Sequence, residues 1–179
     1  MPYRKASIIS TGTELIQGRT VDTNSAWISS TLREYGIETV RHITVGDNIE
    51  DIIEAFKTAS RNVDIVIVNG GLGPTEDDVT RIAAGRFFNV NLIEYPDVRD
   101  NLSAQYAKRG KTLTKYNLKQ AIFPEGSKIL KNLTGIAPGF IFEKDNILDA
   151  FLVGVPEEMK TMFKEALLPV LSEKGMCTS

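Results

Sequence analysis

Three glycines and three carboxylates share one short stretch, NGGLGPTEDDVT, residues 69–80. Gly70, Gly71 and Gly73 can adopt backbone conformations closed to other residues, which lets amide groups approach an anion. Glu76, Asp77 and Asp78 follow at once and would repel that anion unless something mediates. A divalent cation is one mediator: Mg²⁺ is commonly held by one or two carboxylates together with phosphate oxygens. It also polarises a phosphoryl oxygen or lowers the pKa of an attacking water. Asp77 and Asp78 are neighbours on an expected helix and cannot both face one point, so one is expected at the metal and the other at a cap or in solvent. The same residues also have a plainer account. A tight turn could lead into a helix with Thr75 as N-cap and Asp78 at N3, the acids suiting the helix dipole. The stretch is neither a P-loop, for no Lys-Ser/Thr pair follows, nor a G-x-G-x-x-G fingerprint.

A second polar loop precedes it. STGTELIQGRTVDTNSAW, residues 10–27, gathers Thr11, Thr13, Glu14, Asp22, Thr23, Asn24 and Ser25 between two hydrophobic segments. Asp22 to Ser25 are helix-starting residue types, so capping explains them locally. Glu14 has no comparable local role. If both loops follow parallel strands they border the same sheet edge, and a cleft between them becomes the candidate site.

The elements that must hold these loops are readable from periodicity. Residues 63–71 form a β-branched run that reads as a strand buried on both faces, and residues 5–10 and 38–46 read as further strands. Apolar residues recur at helical spacing over 25–36 and 49–60. A third helix is expected from about Glu76 to Phe87 and a fourth over 97–109, after Pro96. This alternation predicts an α/β fold, a three-layer α/β/α sandwich with a mostly parallel sheet. In the second half, 114–126 reads as a short helix leading into a strand broken at Pro124-Glu125-Gly126. Residues 139–154 read as a β-hairpin around Asp145-Asn146, and 156–174 as a helix opened by Pro156 and kinked or ended at Pro169.

The 179 residues suit one domain, and a formal net charge of −2 gives no broad basic surface for nucleic acid or an acidic membrane. With one cysteine, Cys177, a disulfide within the chain is excluded. No apolar run approaches the ~20 residues needed to span a bilayer, so a cytoplasmic protein is expected. His42, the single histidine, is read as structural and Trp27 as core. Lys108, Arg109 and Lys111 are read as a solvated helix end, and Cys177 as an inert residue in a frayed tail.

The segments GTELIQGRTVDTNSAWIS, VGDNIEDI, NGGLGPTEDDVT, TKYNLKQAIFPEGSKIL and TGIAPGFIF occur in this order. Together they resemble the N-terminal domain of the CinA competence/damage-inducible family, a branch of the molybdopterin-binding superfamily. The resemblance runs from about Ser7 to Leu171. It implies that Gly70, Gly71 and Gly73 receive a phosphate of a nucleotide or pterin, with Thr75, Thr80, Asn24, Ser25 and Asn117 as further ligand contacts. It places Asp78, Asp22 and Glu14 in catalytic roles and Asp22, Asp77 and Asp78 around a divalent metal (Mg²⁺, Mn²⁺ or Co²⁺). The implied activity is hydrolysis of the pyrophosphate in ADP-ribose or a similar nucleoside diphosphate derivative. Molybdopterin binding or adenylyl transfer, or a non-catalytic nucleotide-binding module, are the alternatives. Leu72 stands where pterin-handling relatives usually have threonine, which argues against molybdopterin itself. A single domain over 1–179 is expected, without the C-terminal deamidase domain of full-length relatives, and self-association is implied.

Overall fold

The computed structural model describes residues 4–178; the ends of the expected 1–179 domain, residues 1–3 and 179, lie outside the described residues. Strands β1 (Arg4–Thr11), β2 (Ile37–Val45), β3 (Ile65–Asn69), β6 (Lys128–Leu130), β7 (Gly139–Lys144) and β8 (Ile147–Leu152) form one sheet in the order β2-β1-β3-β8-β7-β6. Four of them, β2, β1, β3 and β8, are parallel, while β7 runs antiparallel to both its neighbours. β4 (Leu92–Glu94) and β5 (Ile122–Pro124) make a separate antiparallel pair. All five residues of β3 are buried, as a central strand covered on both faces requires.

The chain order dictates where the helices go. From β1 the chain moves to one side through α2 (Thr23–Glu34) to reach β2. It then returns past β1 through α3 (Ile49–Ala59) to reach β3. Two right-handed crossovers in opposite directions put their helices on opposite faces. α4 (Thr80–Phe88) packs beside α3, and α7 (Pro156–Met162) beside α2. Three layers result. On the α3/α4 side the core is aromatic: Phe56 meets Phe151 edge-on, and Phe140 and Phe88 stack on Phe151 and Phe142 respectively, each pair with 4.1 Å between centroids. On the other side Trp27 packs edge-on against Phe163, 5.5 Å away, so Trp27 does join the core margin.

Most expected elements are present, with instructive differences. Asp145 and Asn146 take φ of 53° and 64°, the pair of positive values a two-residue hairpin turn needs. α4 begins at Thr80 rather than Glu76, because residues 75–78 close a separate turn. Pro169 neither ends nor sharply breaks its helix. Lacking an N–H for the i→i−4 ladder, it is accommodated by a π-helical turn, Phe163–Leu167, between α7 and α8 (Leu168–Glu173). The C-terminal tail is tied rather than frayed: the Thr178 N–H donates to the Tyr35 carbonyl, 2.9 Å. His42 lies on β2 with its side chain exposed, and Lys108, Arg109 and Lys111 are exposed at and beyond the end of α5 (Pro96–Lys108). No helix among the described residues is long and apolar enough to cross a membrane.

Candidate functional site

All four parallel strands end at the same sheet edge, and the loops leaving them enclose a cleft of about 440 Å³. Thr11 ends β1, Gly12 follows it, Glu14 lies in the one-turn helix α1 (Thr13–Ile16), and Asp47 comes from the turn after β2. Gly70 to Gly73, Thr75, Asp77 and Asp78 follow β3, and Val153 to Val155 with Glu158 follow β8. The first two loops are stitched together, since the Thr13 N–H and hydroxyl both donate to Asp47 Oδ2 at 2.9 and 2.8 Å. Ala137 closes one side.

The glycine loop is held from behind by the start of α4. The Thr80 hydroxyl donates to the Gly70 carbonyl at 3.0 Å and the Thr80 N–H to the Gly71 carbonyl at 3.3 Å. The guanidinium of Arg81 then donates to the Leu72 carbonyl and, at 2.9 Å, to the Gly73 carbonyl. Four successive carbonyls are thus turned toward two adjacent residues. In a trans peptide the N–H points opposite to the carbonyl, so the amides of Gly71, Leu72 and Gly73 turn away from Thr80 and Arg81, and all three residues line the cleft. Among the described residues none of the three donates to a protein acceptor. Consecutive amides facing one space form an anion-binding concavity.

Glycine is required twice over in this loop. Gly70 and Gly71 have φ of 103° and 69°, values side-chain-bearing residues avoid. A Cβ on Gly71 would also land on Thr80 Oγ1, and one on Gly73 would come within 2.6 Å of Asp78 Oδ2.

The two neighbouring aspartates separate in role. Asp78 is half-buried and its Oδ2 accepts from the Thr75 N–H and hydroxyl, at 2.8 and 2.6 Å, so it braces the turn. That replaces the expected capping box: the acid ties down the residue three places before it, without starting a helix. Asp77 lines the cleft with its side chain exposed. It is the carboxylate left free.

Other candidates fall elsewhere. Asp22 accepts from the Ser25 N–H at 3.0 Å as N-cap of α2. It borders a smaller recess of about 130 Å³ that shares Thr11, Glu14 and Gly154 with the main cleft. The expected metal set of Asp22, Asp77 and Asp78 is therefore not assembled. Among the described residues no group of three or more His, Cys, Asp or Glu side chains is placed to hold a metal. Ser25 is buried behind that cap and is not among the residues lining the cleft. Thr80 is fully buried with its hydroxyl committed to the loop carbonyl, which makes it a holder of the loop and removes it from direct ligand contact. Asn117 sits in a capping box with Thr114 on α6 (Lys115–Leu118), and its Nδ2 donates to the Tyr106 hydroxyl at 2.7 Å. It is a structural residue away from the cleft.

Asn24 is buried at the smaller recess, its Nδ2 donating to the Gly154 carbonyl at 2.8 Å and to Asn69 Oδ1 at 3.2 Å. Among the described residues its own Oδ1 has no partner. Leu72 is 1% exposed and belongs to the core. Its side chain therefore reports on packing, and its identity says little about which ligand the cleft takes.

Arg81 was not legible as a site residue. An arginine in the first turn of a helix, beside an acidic stretch, reads as solvated, whereas here it is 4% exposed beneath the loop. Burial pulls its pKa down to about 10, with the Asp78 charge acting in the opposite sense, so it stays protonated at neutral pH.

Residues 7–173 match the profile of a family described as "Probable molybdopterin binding domain". A CinA-like protein of Shewanella woodyi is 42% identical over 169 residues, 94% of this chain and 40% of that protein. A CinA-like protein of Kosmotoga olearia is 42% identical over 173 residues, 97% of this chain and 42% of that protein. The chain thus spans about two fifths of the length of these curated relatives. Among solved structures, the protein CinA of unknown function from Thermoplasma acidophilum superposes with a TM-score of 0.86 at 32% identity, covering 96% of this chain and 98% of that one. The molybdopterin biosynthesis enzyme MoaB from Thermus thermophilus superposes with a TM-score of 0.63 at 20% identity, over 96% and 93% of the two chains, and shares the fold. With a family match over nearly its whole length and a CinA structure superposing end to end, the chain belongs to the molybdopterin-binding domain family, in its CinA-like branch.

Proposed function

We propose that the cleft binds the phosphates of a nucleoside diphosphate derivative and that the domain hydrolyses its pyrophosphate bond. The observation that carries this reading is the meeting, around one cleft, of three backbone amides that have no protein acceptor among the described residues, those of Gly71, Leu72 and Gly73, with the carboxylates of Glu14, Asp47, Asp77, Asp78 and Glu158. Amides alone suit an anion, and carboxylates alone would repel it. Hard oxygen donors that are not pre-gathered into a cage fit a cation that arrives with the substrate's phosphates, the usual situation of Mg²⁺. Asp77 and Glu14 would hold such a cation, which supplies Lewis-acid polarisation of a phosphoryl oxygen when bound. The chain's own part is to seat one phosphate on Gly71, Leu72 and Gly73, and to keep the turn rigid through Asp78 and Thr75. A water then adds to one phosphorus as the bridging P–O bond breaks, leaving AMP and ribose 5-phosphate from ADP-ribose.

The test is release of AMP from ADP-ribose with Mg²⁺, Mn²⁺ or Co²⁺. Turnover is expected with at least one of them, and loss of at least a hundredfold, about 2.7 kcal/mol of barrier, in Asp77→Asn with an unchanged melting temperature. Asp78→Asn is expected to lose activity and also about 1–2 kcal/mol of stability, because it weakens the acceptor of two hydrogen bonds. Tight nucleotide binding without turnover under any of the three metals would keep the site and remove the hydrolase.

A second reading, molybdopterin binding or adenylyl transfer, is favoured by the description of the matching family. An adenylylated product from molybdopterin and ATP would put it first.

A further inference from the structure

We propose that Arg81 is the positioning residue that makes the glycine loop an anion receptor, acting from behind the loop as the buried counter-charge for a phosphoryl group. This rests on the phosphate reading of the cleft given above and names the residue on which that reading depends.

The guanidinium is taken almost wholly out of water, an arrangement that is costly unless the charge is paired. Among the described residues Arg81 forms no ion pair. Its donors go to the neutral carbonyls of Leu72 and Gly73, and its charge lies 5.9 Å from the centre of the Phe123 ring. Asp78 is near enough to act on it electrostatically, but that carboxylate is bonded to Thr75. A positive charge thus sits behind the loop without a bonded anion.

The link to the cleft runs through one peptide plane. Leu72 C=O and Gly73 N–H belong to the same amide, so holding the oxygen on a cation fixes the direction of the N–H and polarises it toward stronger donation. The Gly73 carbonyl belongs to the bond with Pro74, which has no N–H. Gripping it fixes the plane of the next bond, where the loop turns toward Thr75. Arginine suits this task because its planar fork reaches two carbonyls at once, which an ammonium does with less order. An anion on the amides would meet this charge across the peptide layer, in surroundings that salt screens weakly.

The experiment is calorimetric titration with inorganic pyrophosphate in the presence of Mg²⁺, on the wild-type chain and on Arg81→Gln, Arg81→Lys and Arg81→Met. Glutamine keeps donors without charge, and lysine keeps charge without the fork. The expected result is binding weakened by about tenfold or more in Arg81→Gln and Arg81→Met, partial recovery in Arg81→Lys, and a wild-type to glutamine ratio that persists at high salt. In amide NMR of the wild type, pyrophosphate is expected to shift Gly71, Leu72 and Gly73 together with the Arg81 side-chain Nε–H. That readout needs no variant to fold. Wild-type affinity in a folded Arg81→Gln, or loop amides that shift while the Arg81 Nε–H does not, would overturn the role of Arg81 and leave the phosphate site standing. A wild-type chain that binds no pyrophosphate would overturn the phosphate reading, and the role of Arg81 with it.

Discussion

Asp149→Asn is expected to remove a large pH dependence from the stability of the fold. Asp149 lies on β8 opposite Val66 of β3 and Phe142 of β7, and is 3% exposed in the middle of the sheet. Among the described residues its carboxylate has no hydrogen-bond partner, and burial raises its pKa from 3.8 to about 7. The sign follows from proton counting. Between these values the folded chain keeps a proton that the unfolded chain has released, so stability falls as pH rises through this window. The contribution is fully present below about pH 4, is lost progressively toward pH 7, and stays lost above it. Three pKa units correspond to about 4 kcal/mol. Urea unfolding of wild type and variant at pH 5 and pH 8 checks this. Two of the three units lie between these pH values, so the wild type should lose about 2.7 kcal/mol relative to Asp149→Asn, and parallel behaviour would refute it. Because other carboxylates titrate near pH 4, the difference between the two proteins is the quantity to read.

Gly71→Ala should destroy the site and much of the stability around it, and a matched control separates the causes. Gly71 and Gly18 share a φ of 69°. At Gly18 a Cβ would meet nothing within 4 Å, so Gly18→Ala carries only the left-handed backbone penalty of about 1–2 kcal/mol. At Gly71 the methyl would collide with Thr80 Oγ1, the group that holds the Gly70 carbonyl, and would press on Thr11 Oγ1 at 3.2 Å. Overpacking adds about 1–3 kcal/mol. Thermal melts should therefore place Gly71→Ala well below Gly18→Ala, and only the former should lose pyrophosphate binding. Equal melts would mean that the loop relaxes around the methyl.

What could be read in advance and what could not divides along a physical line. Backbone demands were legible. The β-branched run of β3, the Asp145-Asn146 turn and the Pro156 helix start each follow from local conformational preference. The convergence of the loops after β1 and β3 followed from parallel topology. What was not legible depends on which way a side chain faces once the sheet is built. Arg81 and Asp149 are charged residues in positions whose periodicity allows a solvated face, and burial appears only when α4 and β8 are docked. The resemblance groups Asp22 with Asp77 and Asp78, and the shared sheet edge by itself says only that their loops border one cleft. The structure turns Asp22 inward to cap α2 and leaves it beside a different recess. The start of α4 was misplaced because an Asp side chain can close a turn on a preceding Thr as readily as it can open a helix.

The strand order has one more consequence, for the birth of the chain. β3 is finished at Asn69, yet the neighbour that covers its second edge, β8, begins only at Ile147. Roughly 80 residues must leave the ribosome in between, on the order of ten seconds of translation. During that interval an apolar, β-branched edge is bare, the kind of segment that recruits strands from other chains. Expression at lower temperature, or with a holding chaperone in excess, should therefore raise the soluble yield more than any substitution on the finished surface.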